Sequence, residues 1–425
     1  MAITTKRIIA YQILDSRGYP TIEARLTMSD GHEVTTSIPS GTSIGKYEAL
    51  ELRDGNPSYY GGFGVKHAIE IINSHIAPKL VGVSPLMQRE VDNWLNASDT
   101  SSNKSKIGAN TMLAVSQLFT KAGAHASNVP VFYYINKLYE QYFKEFITIE
   151  RIPTPIFNII NGGKHANNTL QFQEFQIIPS SSMKFEAALQ MGSEVFHELK
   201  EVLLYRNANI SVGEEGGFAP NLSTNVDALE LLRETIGRRG LKLGVDVFLG
   251  LDIASMEFYK DGKFTISDKP QPLNLEQYME FVLGIMKNYN FLCLEDPLPD
   301  DGFEQWAKFY EKLPQEVYLV GDDLLATNKA RMKRAIKEKS CSTILIKPNQ
   351  TGTVTEVLEV IQLARQNNIN YIVSHRSGET NDDFIADLGV AVQADFTKFG
   401  APSRGERVAK YNRLLRLVYE DLKGR

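Results

Sequence analysis

Six ionisable residues in the later part of the chain each follow directly on a short, mostly apolar run: Asp252 after VFLGL, Glu295 after FLCL, Asp322 after VYLVG, Lys347 after TILI, His375 after NYIVS and Lys398 after ADFT. Asp252, Glu295 and Asp322 form a hard oxygen set suited to Mg2+, with substrate and water completing the shell. Without a cation such carboxylates repel, and the bland alternative is a salt-bridge network with Lys347 and Lys398. An ammonium near other positive charge has its pKa lowered. Lys347 therefore reads as a base for a weakly acidic carbon proton, with Lys398 staying charged to hold an anion.

Two further carboxylates stand in unusual settings. Glu174 opens the run EFQIIP, and Glu214-Glu215 precede paired glycines in SVGEEGGFAP. Burial and a like-charged neighbour raise a carboxyl pKa, as a general acid requires; a turn carrying two solvated glutamates is the alternative. The loops IPSGTSIGKYEA and NIINGGKHANN carry Ser43 and His165. Small-residue loops of this kind close over phosphorylated ligands, and they also occur as ordinary turns.

The elements that must position these residues follow from periodicity. After Pro155, eight strand-like runs (PIFNII, EFQIIP, VFLGLDIA, FLCLEDP, VYLVGDD, TILIKPN, NYIVSH and ADFTKFG) alternate with amphipathic helical stretches. Most are apolar on both faces, as parallel barrel strands are. A closed, all-parallel β/α barrel puts the C-terminal ends of its strands, and so all six ionisable residues, around one mouth. Before it, Arg7 to Ile38 reads as a β meander and Gly64 to about Leu138 as helices, giving an α+β domain 1–138 and a barrel domain 139–425. The chain has 425 residues, 46 basic against 51 acidic, a net charge of −5 and a pI near 5.9, which favours neither nucleic acid nor an anionic membrane. No apolar run approaches the roughly 20 residues that span a bilayer, and no signal-peptide pattern opens the chain, so a cytoplasmic location is expected. A surface or secreted pool is not readable from sequence. Two cysteines, Cys293 and Cys341, lie in apolar runs and read as buried thiols.

The strings LDSRGYPTIEA, PSGTSIG, FNIINGGKHA, GEEGGFAP, LEDP, GDD, IKPNQTGT and SHRSGETNDDFIADL, in this order, resemble the enolase family over nearly the whole chain. The resemblance implies a smaller N-terminal α+β domain followed by an α/β barrel whose second strand is antiparallel. It also implies a Mg2+-dependent hydro-lyase, interconverting 2-phosphoglycerate and phosphoenolpyruvate in glycolysis and gluconeogenesis. By motif, Lys347 resembles the base, Glu215 the acid and Glu174 its support. Asp252, Glu295 and Asp322 resemble ligands of a first Mg2+, and Ser43 the loop ligand of a second that arrives with substrate. Arg376 and Ser377 resemble the phosphate-binding pair, Lys398 the carboxylate-side lysine, and His165 and His375 further pocket residues. A homodimer or higher homo-oligomer is implied as well. The chain departs from the family pattern at Ile44, where a lid threonine is usual, at Phe399 and Thr351, and at Tyr11, in the place of a dimer-contact arginine. These departures bear on lid closure, pocket shape and dimer strength. They leave two other readings: a paralogue acting on a related phospho- or phosphono-2-hydroxy acid, and a non-catalytic scaffold of enolase descent.

Overall fold

The computed structural model describes residues 2–41 and 45–422. Its N-terminal part is an antiparallel meander of β1 (Thr5–Leu14), β2 (Pro20–Met28) and β3 (Glu33–Ser37). In β2 burial alternates along the strand, so Ile22, Ala24, Leu26 and Met28 face a core closed by Met112, Leu113, Val115 and Leu118 of the helix Ala109–Ala126. This two-residue period is the half-buried pattern of a sheet with one covered face.

The rest is a closed barrel of β4 (Thr154–Asn161), β5 (Glu174–Pro179), β6 (Val247–Asp252), β9 (Phe291–Glu295), β10 (Tyr318–Gly321), β11 (Thr343–Ile346), β12 (Asn370–Ser374) and β13 (Phe396–Lys398). A small hairpin, β7 (Tyr259–Lys260) with β8 (Lys263–Phe264), is inserted after β6. All eight apolar runs become barrel strands. Ile156, Ile178, Cys293, Val320, Leu345, Ile372 and Phe396 fill the inside, while a larger apolar layer, including the fully buried Trp306, lies between strands and helices. Both cysteines are free and buried. The helix Val131–Phe143 runs through position 138 and sends Phe132, Ile135 and Leu138 into that larger layer. Among the described residues, no helix is long and apolar enough to cross a membrane.

The all-parallel expectation is corrected by β5, which pairs antiparallel with both β4 and β6. Periodicity cannot reveal direction, because a strand buried on both faces looks the same either way. The reversal has a chemical consequence. Glu174, the first residue of β5, lies opposite Asp252, the last of β6, and Asp252 in turn lies opposite Glu295, the last of β9. Three carboxylates thus stand in a row at one end of the barrel.

The two parts are joined by buried polar groups. Asp92, fully buried in the helix Gln88–Ser98, accepts hydrogen bonds from the Thr355 amide (3.0 Å) and hydroxyl (2.6 Å) in the first turn of the helix Val354–Gln366. A carboxylate there satisfies an orphan amide and meets the positive end of the helix. Asp92→Ala should leave both donors unpaired and cost roughly 1–3 kcal/mol. A urea unfolding curve with an unchanged midpoint would contradict this.

Candidate active site

Strand register delivers the predicted residues to a single cleft. Glu174, Asp252, Asp322, Lys347, His375, Arg376, Ser377 and Lys398 line it, with His165 and Glu215 entering from loops. Glu295 is joined to the cleft through Lys398, which it contacts at 2.8 Å. Ser43 and Ile44 fall outside the described residues.

Lys398 is the centre of the charge distribution. Its buried Nζ donates to both oxygens of Glu295 (3.0 and 2.8 Å) and stands 3.0 Å from Glu174 and 3.7 Å from Asp252. Burial pulls its pKa down, but Glu174, Glu295 and Asp252 outweigh it and carry it well above the usual lysine range. Burial, then Asp252, pushes Glu295 well above the usual carboxyl range. The Lys347 ammonium pairs with Asp322. Burial lowers its pKa, but Asp322 prevails and the net direction is up, opposite to the sequence expectation for a base.

A second carboxylate group adjoins the first. Asp296 accepts from the amides of Asp322 (3.1 Å) and Asp323 (2.8 Å), and oxygens of Asp296, Asp322 and Asp323 lie within 4.8 Å of one another. Burial and the Asp322 charge push Asp323 up to about 7. Among the described residues, the cleft is lined by seven acidic side chains (Glu48, Glu174, Glu215, Asp252, Asp296, Asp322 and Asp323) against the three cationic ones Lys347, Arg376 and Lys398. So unbalanced a set of buried oxygen donors on neighbouring strands fits a hard divalent cation.

Across the cleft lies the acid side. The Glu215 Oε2 accepts from the Asn158 amide (2.8 Å) and stands 3.3 Å from His375 Nε2, while Oε1 is 3.5 Å from His165 Nδ1. Glu174 receives a hydrogen bond from Gln176 (2.8 Å) and lies 3.7 Å from the same His165 nitrogen. Burial, then the Glu215 charge, pushes Glu174 well above the carboxyl range. Burial works upward on Glu215 too, but His165, His375 and Arg407 hold it well below. Since burial drives His375 itself down to about 3, His375 acts there as a neutral dipole. As the side chains stand, the two shifts run in opposite directions, so Glu174 holds a proton more readily than Glu215, where the sequence reading looks for the acid on Glu215.

Arg376 is fixed by a bidentate ion pair with Glu48 (2.8 and 3.3 Å) and by Asn349 (3.1 Å). Ser377 lines the cleft beside it. Glu48, Asn158, Gln176, Asp296 and Asp323 escaped the sequence reading. The acid doublets Glu295-Asp296 and Asp322-Asp323 were a visible signal for the last two; Glu48, Asn158 and Gln176 lie inside the strings IPSGTSIGKYEA, PIFNII and EFQIIP, where attention fell on other residues. Phe399 turns away from the cleft into the apolar layer, 6.0 Å from Tyr411, so it does not reshape the pocket. Thr351 bonds back to the Pro348 carbonyl (3.0 Å), and Tyr11 pairs with Glu23 across the meander.

A β/α barrel with one reversed strand, carrying lysines and carboxylates at its mouth, defines a barrel enzyme. The sequence models described as "Enolase, N-terminal domain" and "Enolase, C-terminal TIM barrel domain" match residues 5–135 and 149–424. The chain is 45% identical to the enolase of Ehrlichia canis (strain Jake) over 413 residues, 97% of this chain and 96% of that one. To the enolase of Ehrlichia chaffeensis (strain ATCC CRL-10679 / Arkansas) it is 44% identical, with the same coverage. The chain belongs to the enolase family, and it is a lyase.

The charge balance predicts a pH-dependent defect. Lys398→Met removes the cation from three buried carboxylates, and breaking such a pairing costs roughly 3–5 kcal/mol. The stabilisation from Lys398, whose folded pKa is raised, is fully present below the unfolded lysine pKa and therefore intact at neutral pH. Glu174 and Glu295 are raised carboxyls, so the folded state binds more protons than the unfolded one and stability falls as pH rises from the unfolded carboxyl range. Without Lys398 that fall should steepen. Thermal unfolding of chelator-treated protein should show a larger deficit at pH 7 than at pH 5, and equal deficits would contradict the assignment.

Proposed function

We propose that this protein is a phosphopyruvate hydratase that removes water from 2-phosphoglycerate to give phosphoenolpyruvate, reversibly and with Mg2+, as a glycolytic and gluconeogenic enzyme. The observation that carries this reading is the placement of base and acid. In the ring of eight strands, β11, which delivers Lys347, stands four places from β5, which delivers Glu174. Lys347 and the Glu174–Glu215 pair thus face a bound molecule from opposite sides. One side removes the C2 proton; the other protonates the C3 hydroxyl as it leaves.

The electron pair of the broken C2–H bond moves towards the substrate carboxylate, and Lys398 provides fixed positive charge for it. Asp252, Glu295 and Asp322 would hold a Mg2+, with Ser43 as the expected ligand of a second. These cations supply a Lewis acid that makes a doubly negative carboxylate accessible at neutral pH. Lys347 becomes a base once Asp322 is engaged elsewhere, because Arg376 and Lys398 then lower its pKa. The C3–O bond breaks as the proton held by the Glu174–Glu215 pair passes through Glu215 to the departing oxygen, which leaves as water. Arg376, oriented by Glu48, and Ser377 are read as the phosphate site, and His165 and His375 as walls of the pocket. A homodimer or higher homo-oligomer and a cytoplasmic location belong to the same reading. With Phe399 packed into the core, the paralogue reading loses one of its two supports.

Chelation should abolish phosphoenolpyruvate formation and Mg2+ should restore it; full activity in excess chelator would remove the metal from the account. Lys347→Ala should lose both C2 hydrogen exchange with deuterated solvent and dehydration. Glu215→Gln should keep exchange while dehydration falls by about two to four orders of magnitude. Proton NMR beside the phosphoenolpyruvate assay reads both. Wild-type exchange in Lys347→Ala, or joint loss in Glu215→Gln, would overturn this assignment of roles.

A further inference from the structure

Arg407 is fully buried, in the helix Gly405–Glu420. Its Nη1 meets the Arg376 carbonyl (2.6 Å) and His375 Nδ1 (2.7 Å), and its Nη2 donates to the carbonyls of Glu214 (3.0 Å) and Ser377 (2.6 Å). The helix thereby grips both loops of the acid side. Gly400, at φ +87, makes room for this: a Cβ there would lie 2.8 Å from the Glu215 carbonyl, 2.9 Å from Arg407 Cδ and 3.1 Å from His375 Cε1.

A guanidinium has only donors, so His375 Nδ1 must accept. The single proton of the neutral ring then sits on Nε2, a buried atom with no aligned hydrogen-bond partner, 3.3 Å from Glu215 Oε2. The Asn158 amide donates to that same oxygen. With one N–H bonded to Oε2 and a second within 3.3 Å of it, a proton placed there would face other protons. The other oxygen, Oε1, lies 3.5 Å from the His165 nitrogen, another buried atom with no aligned partner, which also borders Glu174 Oε1.

We propose that Arg407 is a positioning residue for the acid: by fixing the His375 tautomer it directs an N–H onto Glu215 Oε2 and confines the acidic proton to Oε1. This rests on the reading of Glu215 as the general acid. Oε1 is then the oxygen that takes a proton from the Glu174 side, across His165, and passes it to the leaving hydroxyl. Burial keeps His375 neutral, with Glu215 working upward and Arg407 and Lys398 downward on its pKa.

The test is nitrogen NMR of 15N-histidine-labelled, Mg2+-loaded protein, with the signals of His375 identified by their loss in His375→Asn. The expected spectrum shows protonated Nε2 and bare Nδ1, unchanged from about pH 6 to 9. A protonated Nδ1, or a ring that titrates in this range, overturns the proposal. In Arg407→Gln, His375 should populate the other tautomer. The dehydration kcat should fall about tenfold to a hundredfold, with KM changed by less than about threefold and C2 exchange retained. Arg407→Lys, which keeps one donor, should recover part of the loss. An unchanged spectrum or an unchanged rate in folded Arg407→Gln also overturns it, and if neither variant folds the wild-type spectrum decides alone. Normal dehydration by Glu215→Gln would instead sink the acid reading and leave the tautomer as measured.

Discussion

Burying carboxylates side by side costs several kcal/mol per ion unless opposite charge is set among them, and at this barrel mouth that charge is the Lys398 ammonium. It touches Glu295 and Glu174 and borders Asp252, joining the ends of β13, β9, β5 and β6 into one electrostatic unit. One lysine does not neutralise that unit. The remaining excess of negative charge is what makes a cation and a positively assisted substrate site the natural complement. Asp322 with Lys347 repeats the arrangement on the neighbouring strands.

The reversed β5 is the topological half of the same constraint. Strands running in one direction deliver their last residues to the mouth, and only an antiparallel strand can deliver its first. Glu174 reaches Lys398 for that reason, and the acid pair can form beside it. The N-terminal domain completes the site from above. Glu48 fixes Arg376, while Asp382, on the barrel side, accepts from the Ser37 amide (3.0 Å), the Thr36 hydroxyl (3.0 Å) and Lys121 (2.7 Å) of the meander and its helix. A site divided in this way depends on the docking of two cores, and buried polar groups fix that docking geometrically.

Much of this was legible before any coordinates. An ionisable residue after an apolar run is a strong sign at a barrel mouth, and Asp252, Glu295, Asp322, Lys347, His375 and Lys398 all meet there as expected. Direction of pairing was not legible from periodicity; only the family resemblance carried it. Protonation was not legible, for a physical reason. Motifs give the types of neighbouring charge but not which pair touches, so the pairing of Asp322 with Lys347 and the opposite shifts of Glu174 and Glu215 come from geometry. Glu48, Asn158 and Arg407 were not singled out because each acts across the fold on a partner 32 or more residues away in the chain. Phe399 shows the converse: a departure beside a key lysine that strand alternation turns into the core.

The central claim is that carboxylates at the ends of adjacent strands, Asp252, Glu295 and Asp322, hold the cation, while Asp296 fixes the backbone amides of Asp322 and Asp323 and the Asp323 carboxyl is no ligand. Calorimetric titration of Mg2+ into the wild type and into Asp252→Asn, Glu295→Gln and Asp323→Asn tests this most directly. The account predicts that the first two substitutions abolish measurable binding while Asp323→Asn leaves the affinity within about threefold, less than the roughly tenfold loss expected on losing a ligand's supporting contact. Loss of binding in Asp323→Asn with Glu295→Gln unaffected would place the cation in the other group and contradict it.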